Sequence, residues 1–283
     1  MSPKDLGQNV LIQGFEGSFH HIVAQKFFGS EVNIIPCYSF YELVQRLQKD
    51  ESTHSAIMAI ENSIAGSILP NYGLLEKSQL NIIGEAYLHI RQNLMALEGQ
   101  NIEDLEEVHS HPMALHQCRP FFDQYPHIKL VESFDTALSA REISEQKITK
   151  RGAIAPQLAS ELFNLPILER DIHTDKKNYT RFLILKRDSE HFVDPTSNKA
   201  SIFFEVADEV GSLAKVLTYL SFKKINLTKL QSFPILGKEW QYYIHADLEF
   251  SQLDVFNETI DNLVHITSAL KVLGIYPIGK KEN

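Results

Sequence analysis

Asn178-Tyr179-Thr180-Arg181-Phe182-Leu183-Ile184-Leu185 sets polar side chains directly before a four-residue apolar run. The run reads as a buried strand, so Thr180 and Arg181 stand at a strand mouth. In an open α/β sheet that is where ligands are met. By itself such a stretch is also an ordinary loop-to-strand junction. What lies on either side decides between the two readings: upstream segments that read as the walls of a cleft, and downstream segments that read as a separate small domain.

Upstream, strand and helix patterns alternate. Asn9-Val10-Leu11-Ile12 is a short apolar strand that stops at Gly14-Phe15-Glu16-Gly17-Ser18. A helix is expected from Phe19 to about Phe28 with Ser18 as N-cap. That turn aims backbone N–H groups and the Ser18 hydroxyl at a place where an anion can bind, but lacks the full glycine fingerprint of a dinucleotide site or P-loop. Val32 to Pro36 is a second strand, and Ser39 caps a helix through Leu47 with Phe40, Leu43, Val44 and Leu47 on one stripe. Ser55 to Ile60 is a buried strand that ends in a polar mouth, Glu61-Asn62-Ser63-Ile64-Ala65-Gly66-Ser67. A helix covering roughly Pro70 to Glu76 follows.

Leu80 to Leu88 is long enough to run between two lobes, and Ile90 to Leu97 continues as strand. Ile102 to Leu105 makes a short helical turn. Val108-His109-Ser110-His111-Pro112 is another strand mouth entering a helix, with Leu115, Cys118, Phe122 and Tyr125 as its apolar stripe. Gln117 lies beside that stripe, two turns after Ser110, so the two polar side chains can face one cleft. Pro120 falls inside the helical pattern and is expected to kink or shorten it, at about 3 kcal/mol. Lys129 to Glu132, a helix from Ser133 through Ile143, Arg151 to Pro156, a helix over Leu158 to Phe163, and Ile167 to Asp171 complete the run. The alternation implies a mostly parallel sheet covered by helices, in two lobes with a cleft between them.

Downstream the grammar changes. Arg187 to Lys199 is polar, holds Pro195 and reads as a linker. Strand Ala200 to Val206, helix Ser212 to Phe222, strands Asn226 to Ile235 and Trp240 to Leu248 across Leu236-Gly237-Lys238-Glu239, helix Leu253 to Val264 and strand Ala269 to Gly274 follow. The order βαββαβ is ferredoxin-like.

Composition limits the function. The chain has 283 residues, 43% hydrophobic and 22% charged, with a formal net charge of −9. These values are those of a globular protein of one large or two ordinary domains, and argue against general binding to nucleic acid or to an anionic membrane. A small anionic ligand is compatible with them, because one local site can be positive on an acidic surface. Cys37 and Cys118 fit a reducing compartment better than a disulfide framework. The N-terminus lacks the pattern of a signal peptide and no apolar run approaches a membrane span, so a cytoplasmic location is expected.

His109, His111 and His116 cluster in sequence, but alternate strand positions and a helix position do not converge on one point, and no cysteine pair supports a metal. Ser110, His111 and Asp135 make a hydrolytic triad on paper, without the Gly-x-Ser-x-Gly elbow. What remains is a set of neutral hydroxyls and amides, with one arginine, at successive strand mouths: a binding cleft for a polar, anionic small molecule.

These segments resemble prephenate dehydratase followed by an ACT regulatory domain. The resemblance is carried by Gly14 to Phe19, Glu61 to Ser67, Ser110-His111-Pro112 with Gln117, Gly152-Ala153-Ile154-Ala155, and Asn178-Tyr179-Thr180-Arg181-Phe182, in order over about residues 9 to 186. It implies a two-lobed α/β fold like a periplasmic binding protein over residues 1–186, with lobes of about 9–83 plus 169–186, and 84–168. A linker over 187–199 and a ferredoxin-like ACT domain over 200–283 would follow. It also implies decarboxylative dehydration of prephenate to phenylpyruvate, CO₂ and water, with no metal or organic cofactor. Thr180 matches the family's essential threonine. Asn62, Ser110 and Gln117 match residues that hold substrate, Ser63 belongs to the Asn62 motif, and Ser18 and Arg181 match positions lining the same cleft. Glu61 is not carried over as a catalytic acid.

In the C-terminal domain Gly211-Ser212-Leu213 matches the Gly-Ala-Leu turn of phenylalanine-sensing ACT domains, and Gln231-Ser232-Phe233-Pro234 takes the place of Glu-Ser-Arg-Pro. Gln231 and Phe233 depart from that pattern. The resemblance implies an L-phenylalanine effector at a subunit interface, and hence a homodimer or homotetramer. Two other readings stand beside this one. Arogenate bears an amino-acid head where prephenate bears a keto acid, and the same cleft can serve both. A non-enzymatic amino-acid sensor would have no need of a leaving-group donor. No separate mutase or dehydrogenase domain fits into the chain.

Overall fold

The computed structural model describes residues 8–187, 193–235, 239 and 241–281. In chain order the elements are β1 (Asn9–Gln13), α1 (Phe19–Phe28), β2 (Asn33–Cys37), α2 (Phe40–Lys49), β3 (Ser55–Asn62), β4 (Gly66–Ser67), α3 (Leu69–Lys77), β5 (Leu80–His89), β6 (Asn93–Met95), β7 (Glu107–Ser110), α4 (Pro112–Phe122), β8 (Lys129–Glu132), α5 (Thr136–Gln146), β9 (Arg151–Ala155), α6 (Gln157–Phe163), β10 (Ile167–Glu169), β11 (Tyr179–Arg187), β12 (Lys199–Glu205), α7 (Ser212–Phe222), β13 (Asn226–Pro234), β14 (Tyr242–Glu249), α8 (Leu253–Leu263) and β15 (Ala269–Tyr276). They form two compact units. One holds Met1–Ile68, Ala86–Phe182 and Lys281–Asn283, the other Leu69–Glu85 and Leu183–Lys280.

The first unit is built on two sheets. One has the order β2-β1-β3-β11-β5, with β4 turned back onto β3, and β5 and β11 run on out of the unit. Leu11, Ile12 and Ile57 are fully buried along its parallel β1 and β3. The other has the order β10-β6-β9-β7-β8. Here β7 pairs in parallel with β8 and β9, while β6 runs antiparallel to both β9 and β10. The sheet is therefore mixed rather than mostly parallel, because the strands by which the chain enters and leaves it run against the βα units. Leu94, Val108, Leu115, Cys118 and Ile154 fill one of its cores, and Met95, Ala137, Ala140 and Ala153 another.

Sequence and structure differ in instructive places. Leu80–His89 is a single ten-residue strand of the first sheet, and only Asn93–Met95 of the expected Ile90–Leu97 strand forms. The passage into the second sheet thus lies past His89, not at residue 84. Pro120 lies inside α4, which ends at Phe122, two residues beyond it. Tyr125, expected on the helical stripe, instead donates its backbone N–H to the Phe122 carbonyl in the closing turn.

In the second unit the order β12-α7-β13-β14-α8-β15 gives a sheet ordered β13-β14-β12-β15, antiparallel throughout, which is the ferredoxin-like topology. Ile202, Phe204, Val216, Leu220, Ala246 and Phe256 form its core. Trp240 and Leu236 to Lys238, assigned from sequence to a strand and its turn, lie outside the described residues. The segment Leu69–Glu85 belongs to this unit, although its place in the sequence puts it in the first lobe. The Tyr72 ring packs 5.2 Å from Phe233 and 4.7 Å from His245. Lys271 Nζ donates to the Glu76 and Ser78 carbonyls at 2.8 and 2.6 Å. Lys199 Nζ meets Glu85 Oε1 at 3.1 Å, with both side chains almost wholly buried.

Candidate active site

Within the first unit a cavity of about 460 Å³ opens among the ends of β3, α1, α4, α5 and β11. Three helix N-termini converge on it. Ser18 caps α1 by accepting from His21 N–H, His111 caps α4 through Nδ1 from Met113 N–H, and Asp135 caps α5 from Leu138 N–H. Helix N-termini concentrate positive potential and favour anions.

The centre of the cavity wall is one hydrogen-bonded chain of amides. Asn62 Oδ1 accepts from the backbone N–H groups of Ile64 and Ala65 at 3.0 and 2.9 Å. This turn decides the orientation of the amide, so its NH₂ faces the start of β11. From there it donates to Asn178 Oδ1 at 2.7 Å and to Thr180 Oγ1 at 3.0 Å. The fully buried Asn178 in turn donates to Gln117 Oε1 at 3.1 Å. Two consequences follow from donor and acceptor counting. Thr180 Oγ1 is already an acceptor, so its own proton is the part it has to offer. Gln117 has its oxygen occupied, so its NH₂ is the end left for a ligand.

Of the residues expected at the site, Ser18, Asn62, Gln117 and Thr180 line the cavity together. Ser63, Ser110 and Arg181 are not in its lining. Ser63 Oγ donates to the Lys177 carbonyl and accepts from Tyr179 N–H, tying the β3–β4 turn to the segment before β11. Ser110 is fully buried and donates to the Ile154 carbonyl at 2.7 Å, joining β7 to β9. That bond also removes it from any triad with His111 and Asp135. Arg181 is buried, and strand alternation puts it on the face opposite Thr180 and Phe182, both of which line the cavity. Glu61 pairs with Ser67 across the β3–β4 hairpin and is not in the lining either.

Several residues were not expected here. Asn178 opens the Asn178–Phe182 motif, and its position between Asn62 and Gln117 becomes visible only when β3 and α4 meet. His20 lines the cavity edge-on to Phe182, with ring centroids 5.0 Å apart, and burial pushes its imidazole down to about 3, so it is neutral. Asp135 also lines the cavity, and burial raises its carboxyl to about 6. Its place after Ser133-Phe134, at a helix start, was the available sequence signal. Among the described residues no group of His, Cys, Asp and Glu side chains is placed to hold a metal ion. No helix among them is long and apolar enough to cross a membrane.

In the second unit Leu213 and Ser232 line a cavity of about 500 Å³, together with Glu205, Asp208, Gln241 and Tyr242. Gly211, at φ +86, caps α7, and Ser212 is buried behind it. The Gln231 amide donates to the Ser232 carbonyl. Phe233 points to the other face of β13, where it stacks on Tyr243 and meets Tyr72. An arginine in its place would lose that packing.

Comparison with known proteins agrees with this geometry. The family model for prephenate dehydratase matches residues 10–190. A protein of Arabidopsis thaliana described as arogenate dehydratase/prephenate dehydratase 2, chloroplastic, is 34% identical over 285 residues, covering 95% of this chain and 72% of its own. A solved chain described as GqqA, a novel type of quorum quenching acylase, superposes with a TM-score of 0.85 at 27% identity, covering 96% of this chain and 98% of its own. Prephenate dehydratase from Arthrobacter aurescens, solved with L-Phe, has the same fold, with a TM-score of 0.84 at 24% identity over 95% of this chain and 89% of its own. A family match over more than half of the sequence, converging on the cleft that Asn62, Gln117 and Thr180 share, shows that the chain belongs to the prephenate dehydratase family of hydro-lyases.

Proposed function

We propose that this cleft carries out the decarboxylative dehydration of prephenate to phenylpyruvate, CO₂ and water in phenylalanine biosynthesis, with Thr180 as the group that polarises the departing hydroxyl. The observation that carries the assignment of roles is the 3.0 Å bond from Asn62 Nδ2 to Thr180 Oγ1. It makes the threonine an acceptor on its β3 side and leaves its proton for the substrate. Donating to Oγ also polarises the O–H bond, as linked hydrogen bonds do.

The substrate supplies its own electrons. As the ring carboxylate leaves as CO₂, its bonding pair moves into the ring and expels the hydroxyl, which takes up one proton from the medium to become water, and aromatisation drives the step. The protein has to hold the anion, shield it from water and stabilise charge growing on the leaving oxygen. The N-termini of α1 and α4, the Ser18 hydroxyl and the Gln117 NH₂ serve the first task. Ala59, Ile68, Ile90, Met113 and Phe182 in the same wall serve the second. Thr180 serves the third.

The further roles are part of the same reading. The ferredoxin-like domain acts as an ACT domain that takes L-phenylalanine at the cavity beside Leu213 and Ser232, whose lining also holds Asp208, and the protein works as a cytoplasmic homodimer or homotetramer. Incubating the protein with prephenate and following phenylpyruvate tests the reaction: no product above the uncatalysed background would dismiss it. Calorimetric titration with phenylalanine, alongside turnover at millimolar ligand, tests the effector; no heat and no inhibition would dismiss that part alone.

A further inference from the structure

Prephenate carries two carboxylates with different fates. The one on the ring leaves as CO₂, and the one on the side chain stays with the product. Neither lysine nor arginine is among the described residues that line the cavity, so both have to be held by neutral donors. Each donor that the protein does not use internally therefore matters.

Gln13 supplies such a donor. It is the last residue of β1, which lies between β2 and β3 and runs parallel to both. It therefore stands at the carboxyl end of an inner strand, where open α/β sheets meet ligands. The chain turns away at Gly14, whose φ of +92 favours glycine and whose N–H donates to the Cys37 carbonyl at 3.0 Å. Gln13 lines the cavity. Its amide forms no hydrogen bond with any described residue, and neither amide atom is buried, so both keep accessible surface. Asn62 and Gln117, in the same wall, differ. Asn62 uses its oxygen and its NH₂ inside the protein, and Gln117 uses its oxygen on Asn178.

The turn that begins after Gln13 ends at Ser18, which also lines the cavity. Ser18 Oγ accepts from His21 N–H at 3.3 Å, which leaves its own proton for a ligand. The start of α1 follows directly, and a helix N-terminus favours an anion. The chemistry decides which carboxylate suits this wall. A donor on the ring carboxylate stabilises a charge that vanishes as neutral CO₂ forms, and so raises the barrier. A donor on the side-chain carboxylate meets the same charge in substrate, transition state and product, and leaves the barrier unchanged. We propose that Gln13 is a substrate-binding residue whose NH₂ holds the side-chain carboxylate, the one that survives into phenylpyruvate. The inference rests on the reading of the cleft as the dehydratase site.

The test compares wild type with Gln13→Leu, which keeps most of the bulk and removes the donor; Gln13→Met serves in its place if that variant fails to fold. The readouts are kcat and KM on prephenate, and the Kd of phenylpyruvate by calorimetry. KM and Kd are expected to rise together by about 10-fold or more, the scale of one hydrogen bond to a charged group, with kcat kept within about a factor of 3. A merely structural role would not move the two affinities in step. An active variant with unchanged KM overturns the inference and leaves the dehydratase reading intact. So does a rise in KM with unchanged Kd, which would put Gln13 on the carboxylate that leaves. A wild type that turns over no prephenate overturns both.

Discussion

Replacing Asn62 with aspartate exchanges one NH₂ group for an oxygen and tests whether the amide chain directs the threonine. On the backbone side little changes, since a carboxylate oxygen accepts from Ile64 and Ala65 N–H at least as well as the amide oxygen does at 3.0 and 2.9 Å. On the other side the new oxygen faces Asn178 Oδ1, Thr180 Oγ1 and the Tyr179 carbonyl, now at 2.7, 3.0 and 3.3 Å from Nδ2. Thr180 alone of the three can answer with a proton, so its hydroxyl turns towards the carboxylate and away from the cavity. Asn178 is fully buried and loses a donor it cannot replace from water, at about 1–3 kcal/mol. The expected outcome for Asn62→Asp is a fall in kcat of about 10²- to 10³-fold with a much smaller change in KM, the pattern of a lost transition-state donor. Steady-state turnover together with urea unfolding separates the two effects. A variant that unfolds early but keeps kcat within about a factor of 3 of wild type would refute the reasoning.

Other expectations concern stability. Burial raises the Asp135 carboxyl from 3.8 to about 6, so the folded state binds that proton more tightly than the unfolded chain and loses stability as pH rises through that interval. Asp135→Asn should therefore gain up to about 3 kcal/mol relative to wild type above pH 6, with the gain fading towards pH 4 in urea melts; a gain equal at both ends would contradict it. Lys199→Met leaves Glu85 buried without its 3.1 Å partner and should cost about 3–5 kcal/mol, whereas adding Glu85→Gln should recover part of the loss. Gly274→Ala would drive a Cβ into the Ile82 carbonyl. The Leu69–Glu85 segment should then detach from the sheet of its unit, read as faster amide exchange over residues 69–85, and unchanged exchange would contradict the packing described.

Much of this was legible because the physics is local. Ser18 and Ser39 cap helices where their residue types say they should, whereas the helix expected from Ser133 starts at Thr136 with Asp135 as its cap. The βαββαβ order followed from periodicity alone. The cleft residues Asn62, Gln117 and Thr180 could be placed at element ends but not in contact, because 118 residues separate Asn62 from Thr180. Ser110 and Arg181 looked equivalent to them in sequence, yet strand alternation and one bond to the Ile154 carbonyl turn both away from the cavity. The Leu69–Glu85 segment reads from sequence as part of the first lobe, and its β5 strand does join the first sheet, but its apolar face does not say that the segment groups with the second unit. Tyr72, Lys199 and Lys271 answer that, and two of them lie more than a hundred residues downstream. The antiparallel members of the second sheet were hidden for the same reason: three-residue strands such as Asn93–Met95 carry too little pattern to show direction.

The central claim is that the Thr180 hydroxyl, oriented by Asn62, polarises the group that leaves. It is tested most directly by comparing kcat on prephenate for Thr180→Ala and Thr180→Ser. The account predicts a loss of about 10²-fold or more in the alanine variant with KM largely kept, and most of the rate retained in the serine variant, which preserves the hydroxyl. An alanine variant that turns over as fast as wild type would contradict it.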